Sequence, residues 1–449
     1  MNKKEHQKAF LKMVNYVKYI KRAAGIIAGF MIFAGMTQML NAMFVDDSAE
    51  WNRVLWHDFY EDQGKIDHLY LGSSHVFRDV DPRILDQMSG AYHFNLSTGR
   101  QKLKSSYYLL READRLNDLS HVYLEMYYDV NLEDDGEYVD YNRHWQNTDY
   151  MRLSFNKMAY IAAIKGPEQY INILLPFSRY RSCLGDWDYI REQIEEKRQE
   201  EYLNYGYRDG DAVSAGQGFR EGTGVYKENQ KFFEQRSVLS GYSMQGEPEK
   251  YCRMIIEYCQ SREIPITLFV SPIYDLQLIS TLAYDDYVEE VRTLADEYGV
   301  AFYDFNLAKE AYFSLENGEG FMDSGHLNKY GAEVFTPFLY EVVSGKETDN
   351  DKYFYASYKE KLEKTPPAIY GIYCFDVRED RRRWIASNRD SGMEYRIVVK
   401  PVEGGMYVLR DFDENKQFEL PAEEEGLCVI EARMRSFPDE IVQTMEISF

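Results

Sequence analysis

The sequence predicts an α/β fold, a flavodoxin-like doubly wound parallel sheet, from three observations. Short apolar runs alternate with stretches of helical period from Lys65 onward. Strands spaced by helix-length segments pair in parallel, with helices on both faces. A Gly72-Ser73-Ser74 turn closes the first run, at the carboxyl edge where open α/β sheets place their chemistry.

Two N-terminal segments precede the sheet. Residues 1–22 form a basic tail, with seven Lys/Arg against one Glu. Residues 23–44 are free of charge, and 22 residues at about 1.5 Å each reach across a hydrocarbon core of about 30 Å. Asp46, Asp47 and Glu50 follow. The positive-inside rule then puts the N-terminus in the cytoplasm and everything after about residue 46 outside, as a single-pass membrane anchor. The long basic region and the missing small-x-small site argue against a cleaved signal peptide.

In the sheet region, 65–345, strand one is His68–Gly72, with a helix starting near Asp81-Pro82 and running to Met88. A strand over Ala91–Leu96, a helix over Lys102–Leu116 and a strand over His121–Tyr127 follow. The alternation then stops, and residues 130–245 read as a helical insertion, with a helix over Trp187–Glu201 and a glycine-rich loop near 206–224. An insertion at that edge overhangs the site and shapes substrate binding. The core resumes with a helix over Pro248–Arg262, a buried strand closed by Pro272, a helix over Tyr284–Tyr298 and a strand over Ala301–Phe305. The loop around Asp323 leads into a last helix reaching about Ser344. Residues 346–367 read as a linker ending in Pro366-Pro367, and 368–449 as a small β-sandwich with turns at Gly404-Gly405 and Asp413–Asn415.

Composition narrows the function. A net charge of −23 argues against nucleic acid, which needs basic surface. Five cysteines without a C-x-x-C pair give no zinc knuckle or redox motif, and eight dispersed histidines suggest no metal site. No metal or organic cofactor is indicated.

The candidate chemistry is a serine, an aspartate and a histidine, all at strand ends. A serine hydroxyl is a poor nucleophile until a base takes its proton. His326 supplies the base and Asp323, three residues before it, orients and stabilises the imidazole. Spacing alone leaves Ser73 and Ser74 as rival nucleophiles. The backbone N–H groups of Ser74 and Gly99 are candidate oxyanion donors, Gly99 because a residue without a side chain admits close approach. Asn95 reads equally as an oxyanion donor and as a turn asparagine bonding its own backbone.

These residues resemble the SGNH (GDSL-like) hydrolase superfamily, especially its membrane-anchored DltD-like and polysaccharide O-acyltransferase branch. The nucleophile turn matches Gly72-Ser73-Ser74-His75, which makes Ser74 the nucleophile. The closing Asp-x-x-His motif matches Asp323 to His326, and the second block matches Asn95-Leu96-Ser97-Thr98-Gly99. The third block, Gly-x-Asn-Asp, is not visible after the third strand. The resemblance implies an acyl-enzyme on Ser74, an envelope glycan or acylated donor as substrate, and a multi-pass membrane O-acyltransferase as partner. Transferase and hydrolase stay open, as does a non-catalytic envelope-assembly or glycan-binding protein on a degenerate hydrolase fold.

Overall fold

The computed structural model describes residues 3–48, 50–128, 141–164, 166, 170–226, 244, 246–281, 283–315, 319–345, 350–377, 380–389, 391–420 and 425–449. The chain forms two compact units, Met1–Val54 with His144–Tyr207, and Leu55–Arg143 with Arg208–Phe449.

The first unit is built on helix α1 (Lys3–Phe44). Its 27-residue segment Lys18–Phe44 is long and apolar enough to cross a membrane, with a mean hydropathy of 1.7 over its most apolar window. The last carbonyls of a helix lack intrahelical donors, and here other side chains supply them. Tyr189 Oη donates to the Phe44 carbonyl at 2.8 Å, and Lys197 Nζ donates to that of Val45. Lys197 also pairs with Asp47 at 3.0 Å, a cation where the helix dipole favours one. The stretch expected as one helix over Trp187–Glu201 is two, Trp187–Glu196 and Glu200–Leu203.

The second unit holds the sheet. In chain order its strands are β1 (His68–Leu71), β2 (His93–Asn95), β3 (His121–Glu125), then β4 (Arg208–Asp209), β5 (Ala212–Ser214) and β6 (Arg220–Gly222) within the insertion, then β7 (Ile266–Val270) and β8 (Ala301–Asp304). Among the described residues β2-β1-β3-β7-β8 form a five-stranded sheet, parallel throughout. That is the flavodoxin-like order, which reverses direction beside β1 and opens a crevice at its carboxyl end. Helix α2 (Trp51–Glu61) precedes the sheet. Helices α3 (Ser74–Asp79), α4 (Pro82–Ser89) and α5 (Leu103–Leu116) connect its first three strands.

The helix expected from Asp81-Pro82 is α4, and a short helix that was not expected, α3, precedes it from Ser74. Ser73 caps it by accepting from the His75 N–H at 3.4 Å, and Asp81 caps α4 by accepting from Arg83 N–H at 3.0 Å. Six residues carry too little periodicity to announce a helix.

Strands β4 to β6 form an antiparallel sheet, and the loop between β5 and β6 lies along the open edge of β2. Asn95 N–H donates to the Gln217 carbonyl at 3.0 Å, and Gln217 Nε2 donates to the His93 carbonyl at 2.9 Å. This covers an edge strand that would otherwise present unpaired backbone. Gly218, at φ +73°, approaches so closely that a Cβ would lie 1.9 Å from the Asn95 carbonyl oxygen. The parts of the insertion at 129–140 and 227–243 lie outside the described residues.

The stretch expected as a linker carries a helix, Tyr358–Lys364. Asp285 accepts from its Tyr358 N–H at 2.6 Å, which ties it to the helix Tyr284–Tyr298. Beyond it come β9 (Ile369–Val377), β10 (Asp380–Ser387), β11 (Met393–Pro401), β12 (Tyr407–Asp413), β13 (Gln417–Glu419), β14 (Gly426–Met434) and β15 (Phe437–Ser448). They make two antiparallel sheets, β13-β10-β9 and β12-β11-β14-β15. Ile372 and Ile385 of the first share one apolar core with Tyr395, Ile397, Cys428 and Ile430 of the second. Alternating inward residues from both sheets are what a sandwich requires.

At the amino end of the parallel sheet, His68, His93 and His121 stand in register on three neighbouring strands. The His68 ring stacks at 4.3 Å on His93 and at 6.1 Å on His121. Burial, reinforced by the neighbouring imidazoles, pushes His93 down to about 3 and His121 down to about 4. Below the ordinary histidine value the unfolded chain takes up protons that the folded one refuses, so stability falls as the pH drops from there towards 4. Roughly 2 kcal/mol for each of His93 and His121 should disappear between pH 7 and pH 5. The thermal midpoint of the purified chain should fall over that window, and His93→Phe should flatten the fall.

Candidate active site

The site begins where β1 runs into Gly72. A Cβ there would lie 2.5 Å from both Glu125 Cβ and Val76 Cγ2, so only glycine lets the strand turn against its neighbours. Glu125, at the end of β3, is buried and its Oε2 accepts the Ser73 N–H at 2.6 Å. This fixes the turn, and the next residue, Ser74, opens α3 half-buried, within reach of solvent. The Ser74 N–H, at the first helical position, has no intrahelical acceptor.

Ser74 Oγ lies 2.7 Å from His326 Nε2. His326 Nδ1 lies 2.8 Å and 2.9 Å from the two carboxylate oxygens of Asp323. With its proton on Nδ1, facing the carboxylate, the ring leaves Nε2 free to accept from the serine hydroxyl. Asp323 Oδ1 also accepts the backbone N–H groups of Gly325 at 2.8 Å and His326 at 2.9 Å. Partial burial acts to raise this carboxyl. The His326 ring and the two backbone donors outweigh it and hold Asp323 well below the usual carboxylate range. It stays an anion at neutral pH.

Two further groups hold the loop against α3. The Leu327 N–H donates to Asp79 Oδ1 at 2.9 Å, joining the residue after His326 to the end of α3. His75 stacks on His326 at 4.6 Å and meets Tyr127 at 4.1 Å, with its Nδ1 3.6 Å from Asp79 Oδ2. Asp79 is fully buried, and burial pushes its carboxyl well above the ordinary value. Burial raises Glu125 in the same way, against the opposing pull of His75. Asn328 then caps the helix Lys329–Ser344 by accepting from Gly331 N–H at 3.0 Å.

The structure therefore brings Ser74, Asp323 and His326 together. Asn95 is placed differently from the expected oxyanion donor. Its Nδ2 donates to the carbonyls of Val80 at 2.7 Å and Val76 at 3.2 Å, so the side chain fastens the end of α3 and spends its hydrogens there. Gly99 lies in the loop after β2, the strand beside β1. The end of β3, after which no Gly-x-Asn-Asp block is visible, carries Glu125.

Part of the insertion reaches this region. Glu221 of β6 accepts from Arg83 of α4 at 3.3 Å and from Lys329 at 3.1 Å. A Cβ on Gly222 would lie 3.2 Å from Arg78 Nη1 and 3.6 Å from Met322, which precedes Asp323.

Glu125, Asp79 and His75 were missed from the sequence. One signal was present for the first, a carboxylate inside the apolar run Val122–Met126, since a charged residue there must find a partner when buried. Replacing Asp79 by Ala leaves the Leu327 N–H buried without its acceptor and should cost about 1–3 kcal/mol. Asp79→Asn keeps an acceptor and should recover part of the loss. Urea titration of the two variants against the parent checks this.

No protein-family model matches the sequence, and no curated protein matches it. Among solved structures, the crystal structure of a Bacteroides fragilis NCTC 9343 protein, provisionally described as an acylhydrolase, is similar at a TM-score of 0.30. The identity is 9%, over 67% of this chain and 98% of that one.

Proposed function

We propose that the chain is a membrane-anchored serine acyl-transfer enzyme of SGNH type, an O-acyltransferase or esterase acting on cell-envelope polysaccharide. The observation that carries this reading is the unbroken relay from Ser74 Oγ to His326 Nε2 at 2.7 Å and from His326 Nδ1 to Asp323 at 2.8 Å.

In this reading His326 accepts the Ser74 proton as Oγ attacks the acyl carbonyl of an ester or thioester donor. Asp323 stabilises the imidazolium, which then returns the proton to the leaving oxygen or sulfur. The acyl group remains on Ser74 as an ester. Water or a sugar hydroxyl, deprotonated by the same imidazole, releases it. The Ser74 N–H and that of Gly99 stabilise the tetrahedral oxyanion, each such donor being worth about 2.7–4 kcal/mol of barrier. Ser73 N–H is engaged by Glu125 and Asn95 by two carbonyls, so neither is given this role.

The helix Lys18–Phe44 supports anchoring, and the basic residues before it support an N-terminus in the cytoplasm with the sheet outside. That location suits an envelope glycan as acceptor and a multi-pass membrane O-acyltransferase as donor partner. A non-catalytic protein on the same fold has no need to keep the serine and imidazole in hydrogen-bonding contact.

A fluorophosphonate added to membranes holding the full chain should modify Ser74, identified by mass spectrometry of the labelled peptide. Ser74→Ala should abolish labelling and His326→Ala should slow it by about 100-fold or more, while Ser73→Ala keeps it. A label found elsewhere, or undiminished in Ser74→Ala, overturns the assignment.

A further inference from the structure

The unit around α1 carries large apolar side chains in the open. Phe155 is 97% exposed, Leu153 73% and Trp187 72%, and Ile171, Leu174 and Leu184 are exposed as well. A lone exposed leucine means little, because much of any protein surface is apolar. Six such residues lie exposed within 144–207, and large apolar side chains exposed in that number point to something that covers them.

Their place in the fold says what covers them. Ile171 and Leu174 lie on the helix Tyr170–Leu174, directly before the segment whose Phe177 N–H donates to Asn41 Oδ1 at 3.0 Å. Leu184 and Trp187 lead into the helix Trp187–Glu196, whose Tyr189 hydroxyl bonds the Phe44 carbonyl. Asn41 and Phe44 belong to the last turn of the apolar segment Lys18–Phe44, none of whose most apolar window is buried by protein. Ile171, Leu174, Leu184 and Trp187 thus flank, along the chain, the residues that bond the end of that segment, whose own apolar surface is uncovered. An indole at this depth suits the boundary between headgroups and acyl chains, where tryptophan concentrates.

We infer that residues 144–207 form a collar seated on the outer face of the lipid bilayer, with Trp187, Leu184, Ile171, Leu174, Phe155 and Leu153 entering the headgroup and acyl boundary around the exit of α1. The inference rests on the reading that α1 spans the membrane. The collar gives the chain a second attachment to lipid, in the manner of an interfacial helix, besides its single span.

The test uses the full chain in phosphatidylethanolamine–phosphatidylglycerol vesicles, made with ordinary or acyl-brominated lipid. Brominated chains should quench the tryptophan emission, and Trp187→Phe should lose most of that quenching. Phe155→Asp combined with Ile171→Asp should reduce it while leaving Trp187 in place. Carbonate extraction of the same vesicles reads α1 separately. A chain washed off by carbonate overturns the spanning reading and the collar with it. A chain that stays but is quenched equally with Trp187 or Phe at that position overturns the collar alone. Emission unquenched by brominated lipid, yet shielded from iodide in native membranes, assigns the surface to a protein partner and likewise overturns the lipid inference.

Discussion

The meeting of Ser74 with His326 depends on one buried hydrogen bond, from the Leu327 N–H to Asp79 Oδ1. The serine and the histidine are 252 residues apart in sequence, and loop-closure entropy opposes bringing them together. The turn at Ser73 and Ser74 is fixed from the other side by Glu125, which holds the Ser73 N–H at the end of the neighbouring strand. With the turn and the loop each tied to a buried carboxylate, the serine–imidazole distance follows from the sheet and not from the two side chains alone. His75, packed between Tyr127 and His326, fills the space that would otherwise let the imidazole tip away.

Three of the carboxylates near the site, Asp323, Asp79 and Glu125, are held in different environments. Asp323 sits half-exposed beside the imidazole and two backbone donors, all of which favour its charge. Asp79 and Glu125 are buried, where desolvation disfavours theirs. Charge is therefore favoured on the carboxylate facing Nδ1 and disfavoured on the two buried ones.

The legible parts of this structure were those with a short-range signature. Parallel strands buried on both faces read as apolar runs, so His68–Leu71 and Ile266–Val270 were visible, and their alternation with helices gave the sheet order. Ser74, Asp323 and His326 stood out because polar residues ended such runs or preceded a helix cap at Asn328. Helix α3 was hidden by its brevity. Asp79 and Asn95 were hidden for another reason, since each acts by bonding backbone groups that only the tertiary fold delivers. The glycine-rich stretch near 206–224 looked like a plain loop, and its necessity at Gly218 appears only against the edge of β2.

The unit around α1 is assembled from two pieces of chain, with β1, β2 and β3 encoded between them. On the ribosome α1 emerges well before Phe177, Tyr189 and Lys197, the residues that satisfy its last turn. Until those residues are made, the end of α1 lacks the partners that it has in the folded unit. A chain truncated to begin after Phe44 would never complete this step, and it would carry the bracing segment 144–207 with nothing to brace.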